Sequence, residues 1–98
     1  MDTNQKIDVY KEVLTAIVQR FFTLLGEPAV RKARRVYGLQ VQDDGMVTSY
    51  QGDGMVIVQG LVIEYMALLG PQAVKLTQRA LEPTMKRNPE VKLPTLLT

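Results

Sequence analysis

Among its 98 residues the chain has no cysteine, no histidine and no tryptophan. Without thiolate or imidazole, the only metal sites open to it are oxygen-ligated ones of the calcium or magnesium kind. The same absences exclude Cys-His and Ser-His-Asp nucleophile arrangements and a histidine proton shuttle near neutral pH. No disulfide can form, so cysteine usage gives no argument for an oxidising compartment. Net charge is also small: 12 Lys+Arg against 10 Asp+Glu leave +2, too little to mark the whole chain as a polyanion binder. The opening Met1-Asp2-Thr3-Asn4-Gln5-Lys6 lacks the basic-then-apolar order of a secretory signal. The expectation is a cytoplasmic protein that is not an enzyme, carries no cofactor and no metal, and has no membrane span.

With 46% hydrophobic residues the composition is ordinary for a globular domain. The chain divides into a single helical domain, residues 1–88, and a Pro-containing tail, residues 89–98. A domain this small buries a modest share of its surface, which favours oligomerisation.

The organising feature is a stretch written twice. Phe22-Thr23-Leu24-Leu25-Gly26-Glu27-Pro28-Ala29-Val30-Arg31 returns 44 residues later as Met66-Ala67-Leu68-Leu69-Gly70-Pro71-Gln72-Ala73-Val74-Lys75. At that offset residues 13–36 align with 57–80, with identities at Val18/Val62, Leu24/Leu68, Leu25/Leu69, Gly26/Gly70, Ala29/Ala73, Val30/Val74 and Arg35/Arg79. Each copy reads as a helix, a corner and a second helix. A glycine closing a helix takes positive φ without a Cβ clash, and a proline opening the next gives up an N–H that has no helical partner there. The fold class that follows is mainly α: two αα-hairpins forming a four-helix arrangement with approximate internal two-fold symmetry.

In chain order, Asp2, Thr3 and Asn4 are good N-caps, and the apolar positions from Ile7 to Leu25 recur at helical spacing, which predicts a helix over about 4–25. A second helix is predicted from Pro28 to Gly38. Between Leu39 and Tyr50 the pattern alternates around Asp44-Gly45, the signature of a β-hairpin. A third helix spans Gly54–Leu69 with Asp53 as its cap. The fourth runs from Pro71 to about Glu82, where Pro83 ends or kinks it. The aliphatic tail after Pro89 is read either as an unpacked terminus or as an extended segment docked on the body or on a partner.

Three stretches carry functional readings. Arg31, Lys32, Arg34 and Arg35 give a net +3 over residues 27–38; they form either a solvated helix face or a contact for nucleic acid. Asp43, Asp44 and Asp53 resemble calcium-loop ligands, but the full spacing is missing, so a turn and a cap explain them with fewer assumptions; they could also face the basic second helix of a neighbouring chain. The third helix is apolar nearly all round, broken only by Gln59, Gly60 and the charge of Glu64, and at 16 residues it is short of the about 20 that a bilayer requires. Three other helices do not cover it completely, which makes a homodimer through Val56, Gly60, Ile63 and Ala67 the expected assembly, with Glu64 at the rim or paired across it with Arg20 or another cation.

The function these features support is a small interaction or regulatory protein acting through a homodimeric helical surface, with a protein partner in prospect. A nucleic-acid binder using the basic helix, supported by Lys75, Arg79, Lys86 and Arg87, is the alternative. A third reading is a small apolar ligand held between helices by Phe21, Phe22, Met55, Tyr65 and Met66.

Overall fold

The computed structural model describes residues 8–98. Its elements in order are α1 (Val9–Leu25), α2 (Glu27–Ala33), β1 (Leu39–Val41), β2 (Val47–Tyr50), α3 (Gly54–Leu69) and α4 (Gln72–Arg87), followed by a 3₁₀ turn at Thr95–Leu97. The fold is therefore mainly helical, with four helices and a small antiparallel two-stranded sheet among the described residues.

The two corners are built alike. Gly26 has φ 73° and ψ −144°, Gly70 has φ 70° and ψ −155°. Each donates its N–H to the carbonyl four residues back, Phe22 and Met66, at 2.8 Å, and each accepts from the alanine three residues on, Ala29 at 3.0 Å and Ala73 at 3.1 Å. Positive φ was expected; the ψ was not, since the left-handed helical region has ψ near +45°. Both glycines instead occupy a region that side-chain-bearing residues essentially do not enter. That conformation turns the chain back sharply enough for α2 to pack on α1 and α4 on α3.

Several boundaries differ from the sequence expectation, each for a non-local reason. The first helix starts at Val9, because Asp8 has extended backbone and its carboxylate caps the amide of Lys11 at 3.2 Å; the alternative caps Asp2, Thr3 and Asn4 lie outside the described residues. The second helix ends at Ala33 rather than Gly38. Beyond it Arg35 bonds back to Lys32, Val36 to Ala33 and Leu39 to Val36, at 3.1, 3.1 and 3.2 Å, each three residues apart, so the chain tightens and hands over directly to β1. Pro83 does not end α4. It sits on the exposed side of that helix, where water can serve the carbonyl its missing N–H leaves free, while Thr77, Leu81 and Thr84 anchor the opposite side in the core.

The hairpin pairs Leu39 with Tyr50, Gln40 with Ser49 and Val41 with Val47, leaving Thr48 as an extra residue that bends the strand. Two short strands are not stable by themselves, and these lean on the helices through groups that point away from the sister strand. The Val47 amide donates to Thr15 Oγ1 of α1 at 3.2 Å, and the Val41 carbonyl accepts from Nε and a terminal nitrogen of Arg34 at 3.1 and 2.9 Å.

The core is one cluster in which Val13, Leu14, Ile17, Val18 and Phe21 of α1 meet Val58, Leu61, Val62 and Tyr65 of α3, all fully buried. Tyr65 donates its hydroxyl to the Ala29 carbonyl at 2.8 Å, which ties α3 to α2. The tail lies on the body: Leu97 is buried, its carbonyl accepts from Gln78 Nε2 at 2.8 Å, and Tyr10 donates to the Lys92 carbonyl at 2.7 Å.

Candidate interaction surface

Asp53 starts α3 by accepting the Met55 amide at 2.9 Å, and from there the 3.6-residue period divides a nearly all-apolar helix into two faces. Ile57, Val58, Leu61, Val62 and Tyr65 point into the core. On the opposite side Val56 is 61% exposed and Ile63 50% exposed, with Ala67 exposed and Gly60 half-buried between them. The four residues that the sequence singled out thus form one continuous outward stripe. Incomplete coverage of α3 by its own chain was expected, and one side of the helix is left open.

Beside the stripe lies a groove of about 520 Å³, walled by Val56, Gly60 and Ile63 on one side and by Arg35, Val36 and Tyr37 on the other. Tyr37, 91% exposed, stands at its edge. Periodicity places Tyr37 on the apolar side of a second helix running to Gly38; it is exposed instead because α2 ends at Ala33. Gly60 forms part of the floor. A Cβ placed there would meet only Val36 Cγ1, at 3.5 Å, which is ordinary contact. The chain's own packing therefore has room for alanine at this mid-helix position, although glycine costs roughly 0.5–1 kcal/mol relative to alanine.

The rim is charged. Glu64 accepts from Arg35 Nε at 3.1 Å and has Lys32 Nζ at 3.9 Å. The carboxylate thus has cationic partners within its own chain, and Arg20, proposed as its partner across an interface, lies on another element.

The basic cluster is brought together on α2 and the turn after it, and each of its four cations has a carboxylate partner in the chain. Arg31 bonds Glu27, Arg34 reaches Asp43 at 2.8 Å, and Lys32 and Arg35 share Glu64. The Arg31 hydrogen bond holds the Glu27 carboxyl below the usual carboxylate range. Three carboxylates therefore already oppose the four charges that a phosphate backbone would neutralise. The acidic residues have uses inside the chain too: Asp43 meets Arg34, Asp44 accepts the Met46 amide at 3.0 Å, and Asp53 caps α3. Among the described residues no group of three acidic side chains is placed to hold a metal ion.

Four of the five residues suggested for an apolar ligand belong to the core or its edge. Phe21 and Tyr65 are fully buried against each other, and Phe22 and Met66 pack on the core around them. No helix among the described residues is long and apolar enough to cross a membrane. No family model, no curated protein and no solved structure matches the chain.

Proposed function

We propose that this protein is a non-enzymatic interaction module that pairs with a second copy of itself through the outward stripe of α3. The observation that carries the reading is the exposure of Val56 and Ile63 in a stripe whose four positions carry no charge, with Glu64 only at its rim. Soluble proteins keep contiguous apolar patches small unless something covers them.

A second copy fits the stripe because the stripe complements itself. In a two-fold pairing of antiparallel α3 helices, residue i meets j and j meets i. A single register sets Val56 against Ala67 and Ile63 against Gly60, large against small at every step. The unforced glycine at position 60 is then where the partner helix comes closest, and Tyr37 and Arg35, residue types enriched at interface hot spots, flank the contact. In the same reading the two helical hairpins are copies of one unit, related by the 44-residue offset, so that α1 and α3 occupy equivalent places; α1 carries Glu12, Ala16, Gln19 and Thr23 where α3 carries the stripe. Only one of the two equivalent faces is apolar, which leads to a closed dimer rather than an open chain of subunits.

Sedimentation equilibrium tests this. The protein is expected to behave as a dimer at micromolar concentration, and Ile63→Glu or Gly60→Leu to give a folded monomer. A wild-type protein that stays monomeric at high micromolar concentration refutes the proposal.

A further inference from the structure

A depression of about 380 Å³ lies between α1 and α4, lined by Ala16, Gln19, Arg20, Thr23, Arg79, Ala80 and Pro83. Five of these seven residues, Ala16, Gln19, Arg20, Arg79 and Ala80, stand 44 positions from Gly60, Ile63, Glu64, Arg35 and Val36, which line the groove between α3 and the turn after α2. The two depressions are thus counterparts in sequence, with one change of sign. Where the groove beside α3 holds Arg35 against Glu64 at 3.1 Å, the α1–α4 depression holds Arg79 with Arg20. Neither arginine forms an ion pair with a carboxylate among the described residues, and both side chains are exposed.

We propose that Arg20 and Arg79 form a binding site for a phosphate group, which takes the place that the Glu64 carboxylate holds in the counterpart groove. Two guanidinium groups at one depression repel each other unless an anion lies between them. The guanidinium fork matches tetrahedral phosphate oxygens through paired, charge-assisted hydrogen bonds. The side-chain amide of Gln19 supplies a further neutral donor at the same depression. The small residues Ala16 and Ala80 keep the floor open. The four cations of α2 are a poorer site, because Glu27, Asp43 and Glu64 already oppose them.

The test is a titration of isotope-labelled protein with inorganic phosphate at low ionic strength, read by NMR at the Arg Nε–H groups and the amides of Gln19 and Thr23. A saturable response in the millimolar range, centred on Arg20 and Arg79, is expected. Arg79→Gln and Arg20→Gln should each weaken binding roughly tenfold or more, the equivalent of one charge-assisted hydrogen bond. Lys75→Gln, which removes the same unit charge elsewhere on α4, should leave it nearly unchanged. Arg20→Glu recreates the charge pairing of the other groove, so it should abolish binding while the thermal midpoint holds or rises. A parallel titration with a single-stranded oligonucleotide identifies the source of the phosphate: tighter binding with the same dependence on Arg20 and Arg79 assigns it to a nucleic-acid backbone, and binding no tighter per phosphate assigns it to a small ligand. No saturable response at these residues, or a response that survives both glutamine variants, overturns the site. The outcome is independent of dimerisation, which the stripe variants address.

Discussion

Phe21 and Tyr65, 44 positions apart in the chain, stack in the middle of the core with ring centroids 4.1 Å apart and planes 18° from parallel. Each ring belongs to a different long helix, so the pair joins α1 to α3, and the Tyr65 hydroxyl extends the link to the Ala29 carbonyl of α2. Removing the Phe21 ring leaves a cavity at the junction of three helices. Phe21→Ala should therefore cost about 3–5 kcal/mol in denaturant unfolding, the range for a buried phenylalanine. Tyr65→Phe keeps the stack and loses only one hydrogen bond, so about 1 kcal/mol is expected.

The corner glycines separate backbone cost from steric cost. A Cβ at Gly26 or Gly70 meets nothing within 4 Å, so any loss on substitution comes from the dihedral angles alone. Replacing either by L-alanine should destabilise by about 1–3 kcal/mol. In D-alanine, introduced by chemical synthesis, the same angles are the mirror image of ordinary extended backbone. That variant should match the parent or gain about 0.4–1 kcal/mol from a more restricted unfolded chain. Equal losses for the two enantiomers would show that the corners need empty space rather than a particular conformation.

Arg34 works as a clamp on the hairpin, because one guanidinium serves both the Val41 carbonyl and Asp43. Its substitution by glutamine should cost about 1 kcal/mol, below the usual figure for charge-assisted bonds because the side chain is half exposed. Hydrogen exchange should locate the loss in residues 39–50, with α3 amides unchanged. Uniform acceleration along the chain would contradict the assignment.

Two tyrosines make the fold sensitive to alkali. Tyr50 is pushed up from 10.0 to about 12, first by burial and then by its hydrogen bond to Asp8, and burial raises Tyr65 as well. Because both folded values lie above the unfolded one, the stability these phenols contribute is complete below about pH 10 and is lost as the pH climbs through 10–12 and beyond. Tyrosinate absorbance should show two late-titrating groups, and Tyr50→Phe should remove one. Titration of Tyr50 and Tyr65 at the ordinary phenol value, with the helical signal intact, is the contrary result.

Features set by a few adjacent residues were legible in the sequence: the Gly26 and Gly70 corners, the turn at Asp44-Gly45, the Asp53 cap and both ends of α3. Those that depended on distant partners were not. Asp8 caps α1, and its carboxylate also receives the hydroxyl of Tyr50, 42 positions away, a partner that local sequence does not reveal. Pro83 is tolerated because of which side of α4 it faces, and α2 stops early because Leu39 has to reach the hairpin. The stripe of the candidate surface follows from helical period alone. That Tyr37 stands beside it required the positions of the other elements, because its exposure depends on where α2 ends.

A strand of three residues and one of four leave exposed backbone that could recruit a further strand from another molecule, the usual route to ordered aggregates. Here Thr15 occupies a donor on one edge and Arg34 an acceptor on the other, and the extra residue Thr48 bends the ribbon out of flatness. An incoming strand would have to displace a helix on one side and a guanidinium on the other. The sheet is thereby a poor template, and self-association is steered away from backbone pairing.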